Sequence, residues 1–436
     1  MPLSRKPESY GPYRHRKAGT NDFHYAWVVA AVTFVILVVA GGIRGSSGIL
    51  VVPLESEFHW SRTTISLGVA ANITCYGMIG PFAGALMETL GLRRTVVLAL
   101  VSITAAVLLT ATMRHSWQLV ALWGIVGAGT GMTANVLAAT VATRWFASRR
   151  GLVLGLLTSA AAAGQLVFLP LFAVLTANHG WRWMTLAIAG AAIGLLPAVL
   201  LWMRDKPSDL GLARYGECQV QAPAVKSTAK SAVLVAFGAL RQAMRSKNFW
   251  ILGGTLFICG ASTNGLVGTH LIPACVDHGI TEVAGAGLLA GIAIFNFLGA
   301  TASGWLSDRV DARVLLLAYY GLRGLSLLYM PFAFDSFYEL SMVSVFYGLD
   351  WTATIPPTIR LTTDAFGAER AGVMVGWLMA IHQLGGAAAA FAAGALRMDL
   401  GSYLAAFVAS GALCLLAAGF ILTFSKRDEA IAAATA

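Results

Sequence analysis

Two arginines and one aspartate interrupt long apolar runs of this sequence, and they are the side chains deep in these runs that carry a full charge. They are Arg44, Arg323 and Asp350. Because a charge inside hydrocarbon costs roughly 3 kcal/mol or more, such residues face a polar cavity or one another. A guanidinium holds a carboxylate through two parallel N–H groups, so an unpaired arginine at this depth predicts an anion site.

The three charges divide into a predicted pair and a predicted ligand. We expect Arg323 to pair with Asp350, since two opposite buried charges are tolerated better together than either is alone. Arg44 precedes the polar, glycine-rich stretch 45–48, and we predict that it is the main ligand of a substrate carboxylate. The alternative for Arg44 is that its side chain extends to the nearer membrane surface.

Softer polar side chains at similar depth are predicted to line the same site. In "YGLDWTATIPP" (347–357), Tyr347, Asp350 and Trp351 share one helical face, and the two prolines predict a kink. His382 is predicted to be a proton-sensitive contact, because imidazole titrates near neutral pH. Asn72, Asn135 and Asn296 have an alternative role as hydrogen-bond partners between helices. The predicted substrate-binding residues are Arg44, Asn135, Asn264, Asn296, Tyr347, Asp350, Trp351, His382 and Gln383.

Composition indicates that membrane helices position these residues. Of 436 residues, 57% are hydrophobic and 11% charged, whereas a soluble domain has about 25% charged residues. A spanning helix needs about 20 mostly apolar residues. Twelve such runs are predicted, at about 26–52, 62–87, 95–113, 117–143, 152–177, 181–203, 248–274, 283–306, 313–333, 338–362, 371–395 and 402–424.

The net charge of +10 reports orientation rather than a nucleic-acid partner. Of the 30 Lys and Arg residues, five lie in residues 1–25 and eight in 204–247, and short turns on the same side hold most of the rest. Cytoplasmic loops carry such an excess of basic residues. We therefore predict a multi-pass protein of the cell inner (cytoplasmic) membrane with both termini in the cytoplasm. The arginines predicted outside are Arg62, Arg114, Arg182 and Arg397.

The sequence repeats itself at an offset of about 220 residues. "RGSSGILVVP" (44–53) matches "NGLVGTHLIP" (264–273), and "GALMETLGLRR" (84–94) matches "GWLSDRVDAR" (304–313). Six spans per half give both halves one orientation, which makes the repeat parallel. The predicted units are a basic cytoplasmic tail (1–25), an N-terminal six-helix bundle (26–203), a cytoplasmic linker (204–247) with a short surface helix near "VLVAFGALRQAMRS", a C-terminal six-helix bundle (248–424) and a cytoplasmic tail (425–436).

These features resemble the major facilitator superfamily over residues 23–424. Further details resemble its bacterial oxalate/formate antiporter and monocarboxylate porter branches: "GWR" (180–182), "PLESEFHWSR" (53–62) and "RDKPSDLGL" (204–212). The resemblance implies an all-α polytopic fold of twelve transmembrane helices in two parallel six-helix repeats. It also implies that the repeated turns form a cytoplasmic gate, although Asp311 stands where the second copy would carry glycine. The gate residues are Gly84, Glu88, Gly91, Arg93, Gly304, Asp308, Arg309 and Arg313.

The chain departs from both branches at positions tied to coupling. Monocarboxylate porters carry an acid and, four residues on, an arginine in the eighth span, where this chain has Asn296 and Ala300. The lysine that oxalate/formate antiporters carry in the eleventh span is absent from "AIHQLGG" (380–386). The substrate and the coupling mode are therefore not simply inherited.

The predicted function is secondary active transport of a small organic anion, a mono- or dicarboxylate, by alternating access. Proton coupling and exchange both stay open. The alternative is an efflux carrier for amphipathic or cationic compounds that uses Asp350 and Trp351. No phosphate loop, metal-ligand spacing or nucleophile arrangement is visible, so we predict no enzyme activity, no cofactor and no metal.

The predicted partners follow from the same composition. They are a small-molecule substrate and the lipid bilayer, and protons would be a further partner if transport is proton-coupled. No nucleic acid is expected. The protein is expected to be monomeric. Five cysteines without ligand-like spacing are predicted to be free thiols.

Overall fold

The computed structural model describes residues 24–217 and 237–425, and its helices follow the predicted spans. Within these two ranges, eleven helical segments are long and apolar enough to cross a membrane. Numbered by the predicted spans, spans 1 to 6 are Ala26–Phe58, Arg62–Thr89, Leu92–Ala111, Ser116–Trp145, Arg150–His179 and Trp181–Trp202. Spans 7, 8, 9, 11 and 12 are Lys247–Asp277, Glu282–Ser307, Ala312–Ala333, Ala368–Leu400 and Leu404–Thr423.

Span 10 completes the twelve crossings as two shorter helices, Phe337–Asp350 and Ile355–Phe366. Pro356 and Pro357 lie in the first turn of the second helix, where a missing backbone N–H is tolerated. The predicted kink is therefore confirmed, and it is a complete interruption of the helix by a turn.

Three other spans are also irregular near their middle. These are spans 1, 4 and 7. Span 1 corresponds to span 7 in the repeat and span 4 corresponds to span 10, so the same helices are irregular in both halves. Irregular backbone at membrane depth is tolerated where it is buried in protein or lines a cavity. The irregular segments are the 3₁₀ helix Ser46–Leu50 in span 1, the break between Met132 and Asn135 in span 4, and the π helix Ala261–Val267 in span 7.

The loops define two ends of the assembly, which we call the linker side and the far side. The linker side carries the chain after spans 2, 4, 6, 8 and 10, and it is the side predicted to be cytoplasmic. The far side carries the short loops 59–61, 278–281 and 401–403.

Hydroxyl side chains accept a backbone N–H at the start of spans 2, 7, 8 and 10, which fixes where these helices begin. They are Ser61, Ser246, Thr281 and Ser336.

The two halves meet chiefly along span 2 against span 11 and span 5 against span 8. In the first seam, Val69 and Ile73 pack against Ala387 and Ala390. Small residues let these helices approach closely, since packing drives helix association in lipid. On the linker side, the rings of Phe82 in span 2 and Trp377 in span 11 both contact Phe237, so the linker touches both halves.

Hydropathy underestimated the helix lengths. Span 1 ends at Phe58 rather than near residue 52, and span 10 ends at Phe366 rather than near 362. Helical hydrogen bonds continue through polar residues such as "ESEF" (55–58), whereas an apolar window ends before them. Outward-facing residues are apolar, as in lipid-exposed helices; Leu416, for example, is 67% exposed.

Some predictions fall partly outside the described residues. Most of the two tails and residues 218–236 of the linker lie there, with Cys218 among them. Residues 237–243 are helical, which covers the described part of the predicted surface helix. The four cysteines in the described part of the chain are free thiols.

Candidate functional site

Arg44 lies in the last turn of the first helix of span 1, directly before the 3₁₀ segment. Its guanidinium carbon is 4.4 Å from the centre of the Tyr76 ring, and Nη1 donates to Tyr76 Oη at 3.4 Å. Within residues 24–217 and 237–425, no carboxylate forms an ion pair with it. An aromatic face attracts a cation but does not neutralise it. Half-buried Arg44 therefore keeps a positive charge at mid-depth.

The opposite half places two predicted residues against span 2, next to Tyr76. Asn264 lies in the π segment of span 7 and donates through Nδ2 to Gln383 Oε1 at 3.1 Å. A Cβ on Gly77 would lie 2.4 Å from Gln383 Cβ, so the amide pair touches the residue that follows Tyr76. Arg44 therefore contacts span 2 at Tyr76, and the Asn264–Gln383 pair contacts the same helix one residue later, at Gly77.

Arg323 and Asp350 are in contact, and this pair is almost fully buried. Arg323 Nε donates to Asp350 Oδ2 at 2.5 Å, and their side chains are 0% and 7% exposed. Arg323 Nη1 also donates to Cys259 Sγ at 2.8 Å. Asp350 therefore neutralises Arg323, and among the described residues no buried carboxylate is paired with Arg44.

The same arginine stabilises the break in span 10. Its Nη2 donates to the carbonyl oxygens of Asp350 at 2.6 Å and Trp351 at 3.2 Å, where the interrupted helix leaves acceptors without regular partners. Asn296 accepts from the backbone N–H of Thr352 at 3.1 Å and from its hydroxyl at 2.5 Å. Arg323 and Asn296 thus hold the turn from two sides.

Of the remaining predicted residues, Tyr347 and Trp351 lie at the turn in span 10, whereas His382 and Asn135 lie elsewhere. Tyr347 donates to Ser262 O at 2.8 Å, and its ring meets Trp351 edge to face. His382 is buried, and its Nδ1 has no hydrogen-bond partner in the described part of the chain. Asn135 is exposed at the first residue of the second helix of span 4. No described hydrogen bond joins Asn135 or His382 to Arg44.

The two repeated turns obtain the same hydrogen bond from different carboxylates. Gly91 has φ +90°, and the N–H of Arg93 donates to Asp205, which follows span 6, at 2.8 Å. In the second copy the N–H of Arg313 donates to Asp311 at 2.9 Å. Asp311 has an ordinary extended backbone, so this position needs no glycine. The departure noted in the sequence is therefore a local replacement of the cap.

The predicted gate residues Arg93 and Arg309 make their contacts within their own half, whereas others are exposed or loosely packed. Arg93 Nη2 donates to Leu200 O at 2.5 Å, and the guanidinium of Arg309 stacks on Trp305 at 4.0 Å. Asp308 is exposed at the end of span 8, and a Cβ on Gly304 would meet open space. Glu88 is also exposed, and Gly84 has only loose contact with Val136.

Two arginines beside the gate were missed in the sequence. Arg144 in span 4 donates to Met87 O at the end of span 2, at 3.4 Å. Arg360 in span 10 donates to Ser307 O at the end of span 8. Each caps the span two before its own, but at the repeat offset of about 220 residues Arg144 aligns with Asp364 rather than with Arg360, so the repeat gave no signal for them. A cation at a helix C-terminus stabilises the carbonyls there.

A polar cluster that was also missed joins the halves on the far side. Arg62 Nη1 and Nη2 donate to the two oxygens of Asp277, each at 2.8 Å, and Arg62 Nε donates to Glu55 at 2.8 Å. Arg397 Nε donates to Asp277 at 2.7 Å. We call Glu55, Arg62, His270, Asp277, Arg397 and Tyr403 the far-side latch.

His270 and Tyr403 extend this latch inward. Because the Ala390 carbonyl can only accept, His270 Nε2 donates to it at 2.8 Å, and Nδ1 accepts from Tyr403 Oη at 3.2 Å. Tyr403 Oη accepts from Arg62 at 3.2 Å. Burial raises the pKa of Tyr403, which lies before span 12, to about 12, so the hydroxyl keeps the proton that it donates.

The signal for the latch was present in the charge pattern. Arg62, Arg182 and Arg397 are arginines on the predicted outside, where basic residues are scarce. Each of them has a carboxylate partner: Arg182 binds Glu57 at 2.6 Å, and the other two bind Asp277. Three of the four arginines predicted outside thus marked far-side ion pairs, whereas Arg114 forms none within the described residues.

A groove of about 490 Å³ runs between span 9 and the first helix of span 10 and ends at Asp350. Its walls are mostly apolar, and Leu322 and Phe346 are both 60% exposed on it. The groove faces the lipid-exposed surface of one half rather than the seam between the halves, so it does not belong to the site around Arg44.

Comparison with known proteins agrees with this architecture. The profile of the Major Facilitator Superfamily matches residues 32–349 and 276–435. An uncharacterized MFS-type transporter, YcxA, of Bacillus subtilis (strain 168) is 27% identical over 84% of this chain and 87% of its own. Monocarboxylate transporter 13 of Rattus norvegicus is 26% identical over 95% of this chain and 92% of its own.

Solved structures share the fold at low sequence identity. The crystal structure of a D-xylose-proton symporter has a TM-score of 0.71 and 16% identity, covering 92% of this chain and 98% of that one. A bacterial homolog of the human lysosomal transporter Spinster, in an inward-facing and unoccupied conformation, has a TM-score of 0.71 and 15% identity, covering 92% and 97%.

Proposed function

Because the chain belongs to the Major Facilitator Superfamily, we propose that it is a secondary carrier of small organic anions, with a monocarboxylate as the best-fitting substrate. Transport as such follows from the family and from its relatives. The substrate class is our inference, and one observation carries it. Arg44 has a free positive charge at mid-depth, whereas Asp350 neutralises the other deep arginine.

The surroundings of Arg44 suit a carboxylate. Its guanidinium presents parallel N–H donors beside Tyr76, and the Asn264–Gln383 pair adds polar groups without net charge at the next residue of span 2. A single uncompensated cation balances a single negative charge. We therefore favour a monocarboxylate over a dicarboxylate. Proton coupling and exchange are both compatible with this site.

The proposed transport cycle is alternating access between the linker side and the far side. The far-side latch joins the halves, and the seam of span 2 with span 11 is closely packed from its middle to the far side. Glycines Gly80, Gly372 and Gly376 at the linker end of these two spans have open space beside them. The far-side ion pairs support a conformation that is closed on the far side, although at the linker end the rings of Phe82 and Trp377 also meet. The proposed location is the cytoplasmic membrane with the linker inside.

A carrier for cationic compounds is less well supported. That alternative needs Asp350 to receive a cation, but its carboxylate is bound to Arg323 and almost inaccessible. Trp351 beside it packs on Tyr347. The geometry therefore favours the anion carrier.

Substitution of Arg44 in reconstituted protein tests the proposal. Proteoliposomes are assayed for uptake of ¹⁴C-labelled acetate, lactate, pyruvate and oxalate, with a labelled quaternary amine as the cationic probe. A hydrogen bond to a charged group contributes about 1.5–3 kcal/mol, so Arg44→Gln should lower carboxylate uptake about 10- to 100-fold. Arg44→Lys, which keeps the charge without the fork, should fall between Arg44→Gln and wild type.

Arg114→Gln is the matched control, because it removes an exposed arginine in the loop before span 4. It should transport at the wild-type rate. Wild-type rates for folded Arg44→Gln protein, or transport of the amine alone, would refute the proposal.

A further inference from the structure

Arg62 has its hydrogen bonds divided between the two halves. Its Nε is held by Glu55 of its own half, whereas the Nη1 and Nη2 edge binds both oxygens of Asp277 in the other half. If the halves separate on the far side, the contacts on this edge break and the bond to Glu55 can stay. The edge would then face the far-side compartment with its two donors aligned.

We propose that Arg62 is the far-side receiving site for the transported carboxylate, and that Asp277 occupies this site as a built-in competitor when the far side is closed. The inference rests on the proposed anion transport. Asp277 shows the fit directly, since its carboxylate makes two parallel 2.8 Å bonds with the guanidinium. Paired bonds of this kind are the strong and selective form of carboxylate recognition.

Asp277 can leave this site without losing all of its partners. Arg397, in the same half, donates to Asp277 Oδ2 at 2.7 Å, so the carboxylate stays paired after the halves part. In the described part of the chain, the only other partner of the Nη1 and Nη2 edge of Arg62 is Tyr403, and Tyr403 belongs to the same half as Asp277. Separation therefore leaves the carboxylate satisfied and the guanidinium edge in need of an anion.

The route from Arg62 leads to the central site. Arg62, Ser66 and Tyr76 follow one face of span 2, and Tyr76 lies about 20 Å from Arg62 at the rise of an α-helix. Ser66 Oγ is buried in the seam against Gly394 and has no hydrogen-bond partner in the described residues. A hydroxyl left unpaired in the closed state is available to a carboxylate that passes along the opened seam toward Arg44.

Two substitutions that break the same ion pair test the inference. A latch without a receiving role predicts that Arg62→Gln and Asp277→Asn both favour the far-side-open state, and so both lower the KM for substrate added on the far side. A receiving site predicts opposite changes. Asp277→Asn removes the competitor and should lower that KM severalfold, whereas Arg62→Gln removes the ligand and should raise it about tenfold.

The assay uses right-side-out membrane vesicles and the carboxylate among ¹⁴C-acetate, lactate, pyruvate and oxalate that wild-type protein transports fastest. Arg182→Gln is the matched control, because it removes a far-side arginine whose carboxylate partner, Glu57, lies in its own half, and it should leave the far-side KM unchanged. The KM measured from the linker side in inverted vesicles should change less than twofold in Arg62→Gln. If Arg62→Gln does not fold, Arg62→Lys takes its place and should also raise the far-side KM, because the paired donors are lost.

A label for the open state separates this inference from the proposed function. Val69→Cys, in the closed seam, should react faster with a membrane-impermeant maleimide when either Arg62→Gln or Asp277→Asn is added. Equal directions of KM change in the two variants overturn the receiving site and leave only a latch. Failure of wild-type protein to transport any carboxylate refutes the proposed function instead, and the labelling result is then unaffected.

Discussion

Adding Arg323→Met to Asp350→Asn should make the protein more stable than Asp350→Asn alone. The single substitution leaves a guanidinium that is 0% exposed with no counter-ion among the described residues, and arginine stays charged at all relevant pH values. The double variant removes both charges and fills much of the arginine's volume with an apolar chain. A second substitution at a buried ion pair should therefore restore stability rather than reduce it further.

The contacts of Arg323 set the magnitude. Breaking a buried pair by removing one partner costs about 3–5 kcal/mol, whereas replacing both partners by apolar groups is often near neutral. Arg323 also donates to Trp351 O, and an unsatisfied buried acceptor costs about 1–3 kcal/mol. The carbonyl of Asp350 is affected less, because Ala353 N also donates to it at 3.2 Å. The double variant should thus be about 2 kcal/mol more stable than Asp350→Asn.

Unfolding of purified protein in detergent, followed by tryptophan fluorescence against heat and against denaturant, measures this order. The Arg182–Glu57 pair is a matched control, because its side chains are 45% and 39% exposed. Its double variant should show a coupling energy below about 1 kcal/mol. If the double variant at Arg323 and Asp350 is less stable than Asp350→Asn, the bonds of Arg323 to the span 10 turn outweigh its charge, and the reasoning is wrong.

Three further outcomes are expected. Glu88→Gln and Asp308→Asn should slow transport but change equilibrium substrate binding little, because these residues act on the balance between the two conformations of the carrier. Ligand-induced thermal shift measures the binding, and equal losses of transport and binding would indicate direct contact with the substrate. His382→Ala should change the pH profile of the transport rate, and an unchanged rate and profile would leave the residue a buried polar group. A reporter within 204–247 should be accessible only from the cytoplasm, and labelling from outside would reverse the proposed topology.

Local patterns were sufficient for most of the fold. Apolar runs of spanning length, the repeat and the Pro356–Pro357 pair predicted the helices, their two-fold organisation and the break in span 10. Arg323 and Asp350 could be paired in advance because few ionised groups lie deep in the spans. The helix ends were predicted poorly, since hydropathy measures contact with lipid and helical hydrogen bonding extends beyond it.

The candidate site was predictable in its types of residue but not in their roles. Arg44 and the Asn264–Gln383 pair contact consecutive residues of span 2, whereas Tyr347 and Asn296 bind the irregular backbone of spans 7 and 10. A sequence shows that a polar side chain is deep in a span. It does not show whether that side chain turns toward a passage or toward a broken helix, because this depends on the rotation of each helix in the assembly.

By itself, the sequence determined which segments cross the membrane, how the two halves repeat and which few residues bring charge into the interior. These properties depend on composition and on spacing along one helix. The tertiary structure alone decided that Arg62 meets Asp277, 215 residues away, that Asp205 completes the first repeated turn, and that Arg44 has no carboxylate partner among the described residues. Such pairings depend on how separate helices pack side by side, and helix packing places residues together that no local pattern relates.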